Sequence, residues 1–428
     1  MSVEDEGEEA PQGLLQRLRH EFGFVQGNFL VMVLSWLVLD LFTELPGTYY
    51  PLYVKALGGT ASTIGLIGAV QSVAIALVQI PGGYLTDKYG RRWLIVSMTF
   101  VAAFARFFYA YAPSWEWILV GAVIAGFCNI YRPALNAIVA DSLPEENRGM
   151  GFSIINLISS VSTTPAPLIA GYLFTLYGLV PSMRLTYKLV FIGYIVAAIL
   201  RSRLKETVET PAEINVREML SEYPASLRES VNVWRLVPTA AFVLFLINVI
   251  TNFTSGLFQP VLTLYIVQDL GIGEVELSYI MTALPVTMIL LALPAGKIVD
   301  RVDKRLPIML SFVLWGAAVL LFVYGDFYRL ILAMMSVGIL MILVNSATSA
   351  LSAELVPQEH RGKVSGSKGF FAMIAAALGQ LSGGWLYDNV SHQAPFLIEL
   401  LLIAPPIYMA WRWLKPPEPE PLDEPLPG

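Results

Sequence analysis

The 428-residue chain is short of nearly everything that soluble proteins use for chemistry. It has one cysteine, Cys128, so no intrachain disulfide can form and no redox compartment can be read from it. Three histidines, His20, His360 and His392, are scattered and supply no metal-ligand set, and no cofactor is expected. Charged residues make up only 14% of the chain, against about a quarter in soluble domains. No G-x-x-x-x-G-K-[ST] phosphate loop occurs, which argues against an ATP-driven pump. No His, Cys or Ser constellation is placed for catalysis, which argues against an enzyme. The opening MSVEDEGEEA is acidic and lacks the apolar core of a signal peptide. The net charge of −6 is a property of the ends: five acids lie in residues 1–10 and four in residues 416–428. The remainder is close to balanced, so no nucleic-acid partner is expected.

What is present is apolar sequence, 56% of the chain. Twelve candidate spans fall near 29–54, 61–85, 93–112, 117–140, 151–177, 185–200, 239–267, 275–298, 306–324, 328–352, 365–387 and 395–414. Most approach or exceed the roughly 20 residues a helix needs to cross the hydrocarbon core. The expected fold is therefore an all-α integral membrane protein of twelve transmembrane helices, with the lipid bilayer as its solvent. Its divisions are a tail with an amphipathic stretch over 1–28, a six-helix bundle over 29–200, a charged linker over 201–238, a second bundle over 239–414, and a proline-rich acidic tail over 415–428. Arg91, Arg92, Arg301, Lys304, Arg305, Arg361, Lys363 and the basic residues of the linker fall on one side, which the positive-inside rule makes cytoplasmic together with both termini.

The two bundles are copies. PGGYLTDKYGRR, residues 81–92, returns 213 positions later as PAGKIVDRVDKR, residues 294–305. ADSLPEENRG at 140–149 returns in the same register as AELVPQEHRG at 353–362. The first loop resembles the signature loop of the major facilitator superfamily of secondary transporters, a glycine followed by D-x-x-G-R-R/K, through Gly83, Asp87, Gly90, Arg91 and Arg92. The second copy keeps Asp300 and Arg305 but has Asp303 in place of the glycine. The resemblance implies two pseudo-repeated six-helix bundles with alternating access, a small-molecule substrate and a cytoplasmic gate built on these loops. It also implies that Asp87 latches onto the start of the eleventh span, near Gly362 to Ser365. Helix termini are ready partners for such a charge.

Ionisable groups inside spans mark transport pathways by default. Asp40 and Glu44 lie one helical turn apart on the first span, on the face of Trp36, with Pro46 and Pro51 following. Arg132 lies in the fourth span with Asn129 and Asn136 on its face, and Pro133 removes the bond to the Asn129 carbonyl. By depth alone, Asp40 can face Arg132 and Glu44 can face Arg106; a packing role is expected for Arg106. In the second half, Asn248, Asn252, Ser255 and Gln259 form a neutral polar stripe on the seventh span, joined by Asn345 on the tenth. With a one-residue gap Asn252 occupies the place of Asp40, and without one Asn345 occupies that of Arg132. Asp40 and Glu44 are thus the candidates for proton coupling. Trp36, Asn129, Arg132, Asn136, Asn248, Asn252, Gln259 and Asn345 are the candidates for the substrate cavity.

The fifth span carries Ser162, Ala166, Pro167, Ala170 and Gly171, and the eleventh Ala375, Gly379, Gly383 and Gly384. These resemble, in degenerate form, the small-residue pattern of the superfamily's antiporters. The reading is a monomeric plasma-membrane transporter exporting a small organic molecule in exchange for protons. Import of sugars or organic acids is the alternative, and a non-transporting membrane sensor the third.

Overall fold

The computed structural model describes residues 24–144, 148–208, 216–299 and 302–414. The acidic start, most of the amphipathic stretch, Asp300 and the proline-rich tail lie outside the described residues. The described chain is helical, and eleven of its helical segments are long and apolar enough to span a bilayer. The expected first span is the exception, being broken into α1 (Gly27–Thr43) and α2 (Tyr50–Ala56). Pro46 and Pro51 explain the break, since proline cannot donate to an i−4 carbonyl. The elements then run α3 (Ala61–Tyr89), α4 (Arg92–Ala110), α5 (Trp115–Cys128), α6 (Arg132–Asp141), α7 (Arg148–Thr163), α8 (Ala166–Tyr177) and α9 (Leu179–Arg201). A linker helix, α10 (Val216–Asn232), leads to the second half. That half comprises α11 (Thr239–Phe258), α12 (Leu262–Leu264), α13 (Glu274–Val299), α14 (Arg305–Val323), α15 (Phe327–Leu355), α16 (Arg361–Asn389), α17 (Ala394–Leu402) and α18 (Ala404–Trp413).

Large apolar side chains such as Leu290, Leu401, Val161 and Phe104 stand exposed around the bundle. A soluble surface does not tolerate so much exposed apolar area, whereas lipid does. Tyr111, Tyr172, Tyr177, Tyr328, Trp411 and Trp413 are exposed near helix ends, where amphipathic rings sit at membrane interfaces.

The repeat is visible in three dimensions. Arg91 pairs with Asp141, and 213 residues later Lys304 pairs with Glu354. Gly58 and Gly271, the same distance apart, both take left-handed backbone, φ 87° and 68°. The Tyr53 hydroxyl donates to the Tyr109 carbonyl at 2.9 Å, and that of Tyr265 to the Val323 carbonyl at 2.9 Å. Those two tyrosines are 212 apart, so the second half gains one residue between Tyr265 and Gly271. It is absorbed by a π-helical turn over Tyr265–Asp269. This is how a helix usually accommodates a single insertion, and it accounts for the one-residue gap between Asp40 and Asn252.

The halves meet mainly where α3 crosses α16 and where α8 meets α13. At the α3–α16 crossing a Cβ on Gly65 would lie 2.2 Å from the Gln380 carbonyl oxygen, and one on Gly384 would lie 2.4 Å from that of Ala61. Only glycine permits that approach. The end of the bundle remote from the linker is sealed by polar contacts between halves. Asp388 accepts from the Ser62 N–H at 2.7 Å, the Tyr49 hydroxyl donates to the Glu274 carbonyl at 2.6 Å, and Lys55 donates to Gln268. Toward the linker side the fit is uneven: nothing lies within 4 Å of a Cβ placed on Gly83, Gly362 or Gly366, whereas one on Gly369 would meet the Gln79 side chain of α3.

Candidate functional site

Two chambers are stacked along the interface between the halves. The far-side chamber, about 700 Å³, lies beside Ile64–Gln71 of α3 and is lined by Glu44, Ser159, Thr163, Gln259 and Gln380. Glu44 caps the broken end of α1, so the proline break turns its carboxylate into this space. Asp40, one turn back, does not line the chamber but neighbours Ser159, which does. The cation acting on Asp40 is Arg201.

Arg201 is the residue that the sequence reading missed. It ends α9 and is wholly buried, donating from Nε to Ser35 at 3.1 Å and from Nη1 to Thr99 at 2.9 Å. Its guanidinium also stands over the Tyr131 ring, 5.7 Å from the centroid. Among the described residues neither of the pairs suggested by depth forms an ion pair. Arg106 instead stacks between the rings of Tyr109 and Tyr194, 5.4 and 5.5 Å from their centroids.

The linker-side chamber, about 730 Å³, lies beside Ile75–Gly83 of α3. Trp36, Asn129, Arg132 and Asn136 all line it: the last three share one helical face as expected, and Trp36 joins them from α1, apart from Glu44, whose face it was expected to share. The Pro133 break is present as a 3₁₀ turn over Asn129–Tyr131, which starts α6 at Arg132. Arg132 is exposed to the chamber and makes no hydrogen bond or ion pair with a described residue.

The polar stripe of the second half is divided. Gln259 lines the far-side chamber, Asn248, Asn252 and Asn345 line a chamber of about 310 Å³ between α11, α15 and α16, and Ser255, Gln259 and Asn345 together line a further one of about 470 Å³. The Asn252 amide donates to the Asn248 carbonyl at 2.8 Å, one turn away. Beyond this neutral stripe, the second half also carries two ionisable residues inside its spans. Lys368 of α16 lines the asparagine chamber. Glu399 of α17 is 1% exposed; its Oε1 accepts from the Trp315 indole at 2.8 Å and its Oε2 has no partner. Both fall within spans expected from sequence, and charge inside a span is the signal that finds them.

The repeated loops are tied down differently. Gly90 ends α3 with φ 91°, a left-handed conformation that glycine adopts freely. Asp303 in its place keeps a negative φ and instead grips Arg305, accepting from Nε at 2.9 Å. The Asp87 side chain and Asp300 lie outside the described residues. Arg91 contacts Asp141 and donates to Thr207 at 2.9 Å, and Arg92 donates to the Ser202 carbonyl at 2.9 Å.

Glu206, just past α9, receives the backbone N–H groups of Arg91 at 3.0 Å, Arg92 at 2.9 Å, Thr207 at 3.0 Å and Val208 at 3.3 Å. Burial pushes its carboxyl up, but these four donors outweigh it and hold it below the ordinary glutamate value. The stabilisation is therefore present at neutral pH and lost as pH falls through the lowered folded value. The melting-temperature gap between wild type and Glu206→Gln should be clear at pH 7 and close on acidification. A gap that ignores pH would mean that the carboxylate contributes shape rather than charge.

The sequence matches the family model "Major Facilitator Superfamily" twice, over residues 29–254 and 244–426. It is 23% identical over 406 residues to the multidrug resistance protein MdtG of Escherichia fergusonii, covering 91% of this chain and 94% of that one. It is 24% identical over 402 residues to the multi-drug resistance efflux pump PmrA of Streptococcus pneumoniae, covering 88% and 92%. Among solved structures, the nucleoside transporter NupG superposes with a TM-score of 0.67 at 17% identity, covering 90% of this chain and 99% of that one. With two matched bundles, a broken first span and stacked chambers between the halves, the chain is a multi-pass membrane transporter and belongs to the major facilitator superfamily.

Proposed function

We propose that this transporter exports a small organic molecule in exchange for protons, as a monomer in the plasma membrane with both termini and the linker in the cytoplasm. The observation that carries the reading is the placement of Glu44 and Asp40. One carboxyl group lines the far-side chamber, and the other lies one helical turn behind it, beside Ser159 of the lining. Paired carboxyl groups at membrane depth, one exposed to a cavity and one behind it, are suited to passing a proton as access changes. Asp40 and Glu44 then handle the proton. Trp36, Asn129, Arg132 and Asn136 contact substrate from the first half, and Asn248, Asn252, Gln259 and Asn345 from the second. The efflux direction is supported by the similarity to the efflux pump PmrA. Gly83, Asp87, Gly90, Arg91 and Arg92, with Asp300 and Arg305 in the second copy, form the cytoplasmic gate.

Proteoliposomes with an imposed pH gradient test the proposal, with dye or organic-acid flux followed in both directions. Flux that ignores the gradient would sink proton coupling, and flux only down the proton gradient's direction would favour the import of sugars or organic acids. In the same assay Asn252→Ala should raise the apparent Km several-fold, since a neutral hydrogen bond contributes about 0.5–1.5 kcal/mol. The proton-to-substrate ratio should stay constant. If only the yield of folded protein falls, Asn252 serves helix packing through its bond to Asn248.

A further inference from the structure

Lys368 lies in a spanning helix, seven residues from the start of α16, and makes no hydrogen bond or ion pair with any described residue. The acids nearest in the fold are engaged elsewhere. Glu354 of α15 holds Lys304, Glu229 of α10 holds Lys363, and Glu359 faces His360. Asp388, the acid of α16, is at the far end of the helix on Ser62. Helix α11 carries no ionisable residue.

The space around Lys368 is built for hydrogen bonding. Asn248, Asn252, Asn345, Ser349 and Ser352 share its chamber, with Oδ1 of Asn248 buried and without a donor. A second chamber, of about 340 Å³, shares Thr348, Ser349, Ser352 and Lys368 with the first and reaches Arg361 at the linker-side end of α16. Arg361 is occupied by the Ala353 and Val356 carbonyls, at 2.7 and 3.2 Å. Lys368 is thus the uncommitted cation of a polar chamber that continues toward the linker side.

An uncompensated cation away from bulk water is unfavourable unless something anionic arrives. The orphan acceptor on Asn248 calls for a donor on the same ligand. We propose that the α11–α15–α16 chamber is an anion site in which Lys368 binds the acidic group of an organic anion, while Asn248 accepts from a hydroxyl or amino group beside it. This deepens the transport reading, on which it rests, by naming the substrate class. Lys368 then selects for charge in the second half, and Arg132, across the interface in the linker-side chamber, supplies a like-signed lining for the way in.

The test is equilibrium binding to the purified full chain in detergent, read by fluorescence anisotropy with two dyes on one xanthene frame: anionic fluorescein and cationic rhodamine 123. Wild type should bind fluorescein. Lys368→Met should weaken it by about tenfold or more, the loss expected for a charged hydrogen bond. Lys368→Arg should hold it within about threefold, and Asn248→Ala should weaken it several-fold. Rhodamine 123 should respond to none of these variants. Lys368→Met should melt no lower than wild type, because it removes an unpaired charge. The proposal is overturned if wild type fails to bind fluorescein, or if Lys368→Met leaves its affinity intact, as a lysine merely reaching for the interface would. Equal loss of both dyes, or loss only in an Arg132→Met control, would also overturn it. The assay uses no gradient, so it can fail while proton-coupled flux is intact, and the reverse.

Discussion

Asp40→Asn should abolish gradient-driven transport while leaving substrate binding measurable, the largest functional loss expected from any single polar substitution in this chain. The amide is close in size to the carboxyl group it replaces, so the α1–α7 contact should persist. It cannot take up or release a proton. It also removes a neighbouring carboxylate from Arg201, in a wholly buried site where a cation depends on its partners. Ser35, Thr99 and the Tyr131 ring still hold the guanidinium, so the variant should fold. The check is uptake into proteoliposomes against a concentration gradient, with counterflow as the control. Counterflow should survive, since exchange of substrate for substrate moves no net proton. Concentrative transport at wild-type rate in Asp40→Asn would remove this carboxyl group from the mechanism and leave Glu44 as the proton carrier.

The second large effect is conformational. Gly384→Ala should pry open the far side. The new methyl group would sit 2.4 Å from the Ala61 carbonyl oxygen, a rigid backbone atom at the start of α3, so the helices must part. Parting them strains the Ser62–Asp388 contact, which at 2.7 Å is part of the seal. Gly65→Ala should act in the same direction through Gln380. Gly362→Ala and Gly366→Ala serve as controls, because a methyl group has room at both positions. Cysteine labelling at positions flanking the far-side chamber, in a Cys128→Ala background, reads the outcome. Gly384→Ala should label faster there, and the two controls should match wild type. Equal rates in all four would mean that α3 and α16 slide rather than separate.

Much of this architecture was legible in the residues. The 213-residue repeat and apolar span lengths led to two six-helix bundles, and the structure adds that the first span is broken at Glu44–Tyr49. The face shared by Asn129, Arg132 and Asn136 followed from helical periodicity, and they do line one chamber, whereas Trp36, on the face of Asp40 and Glu44, lines that chamber and Glu44 the other. Pairing was not legible. Asp40 was matched with Arg132 by depth, but depth counts rise along an axis and is blind to rotation about it. Arg201 was read as the first residue of a basic linker because Arg203 and Lys205 follow it. Its burial comes from α9 packing on α1 and α4, a contact between residues more than a hundred positions apart. Ser159 carries no signal of its own in a span containing several serines. Lys368 and Glu399, by contrast, were visible as charges in apolar runs, and the neutral stripe on the seventh span drew the reading away from them.

The contact between Lys55 and Gln268 has a further meaning, because the two residues are repeat mates 213 positions apart. A residue and its own mate can touch only on the pseudo-twofold axis. In a true symmetric dimer of half-length chains, that point would bring each residue against its own copy, as every isologous interface does. Lysine would meet lysine and repel, and only a self-complementary residue such as glutamine would be tolerated. Joining both halves in one chain lifts that restriction at one point in the seal. Each side of the axis can then carry a different residue, and a donor with no acceptor of its own is matched by an acceptor that its twin could never supply.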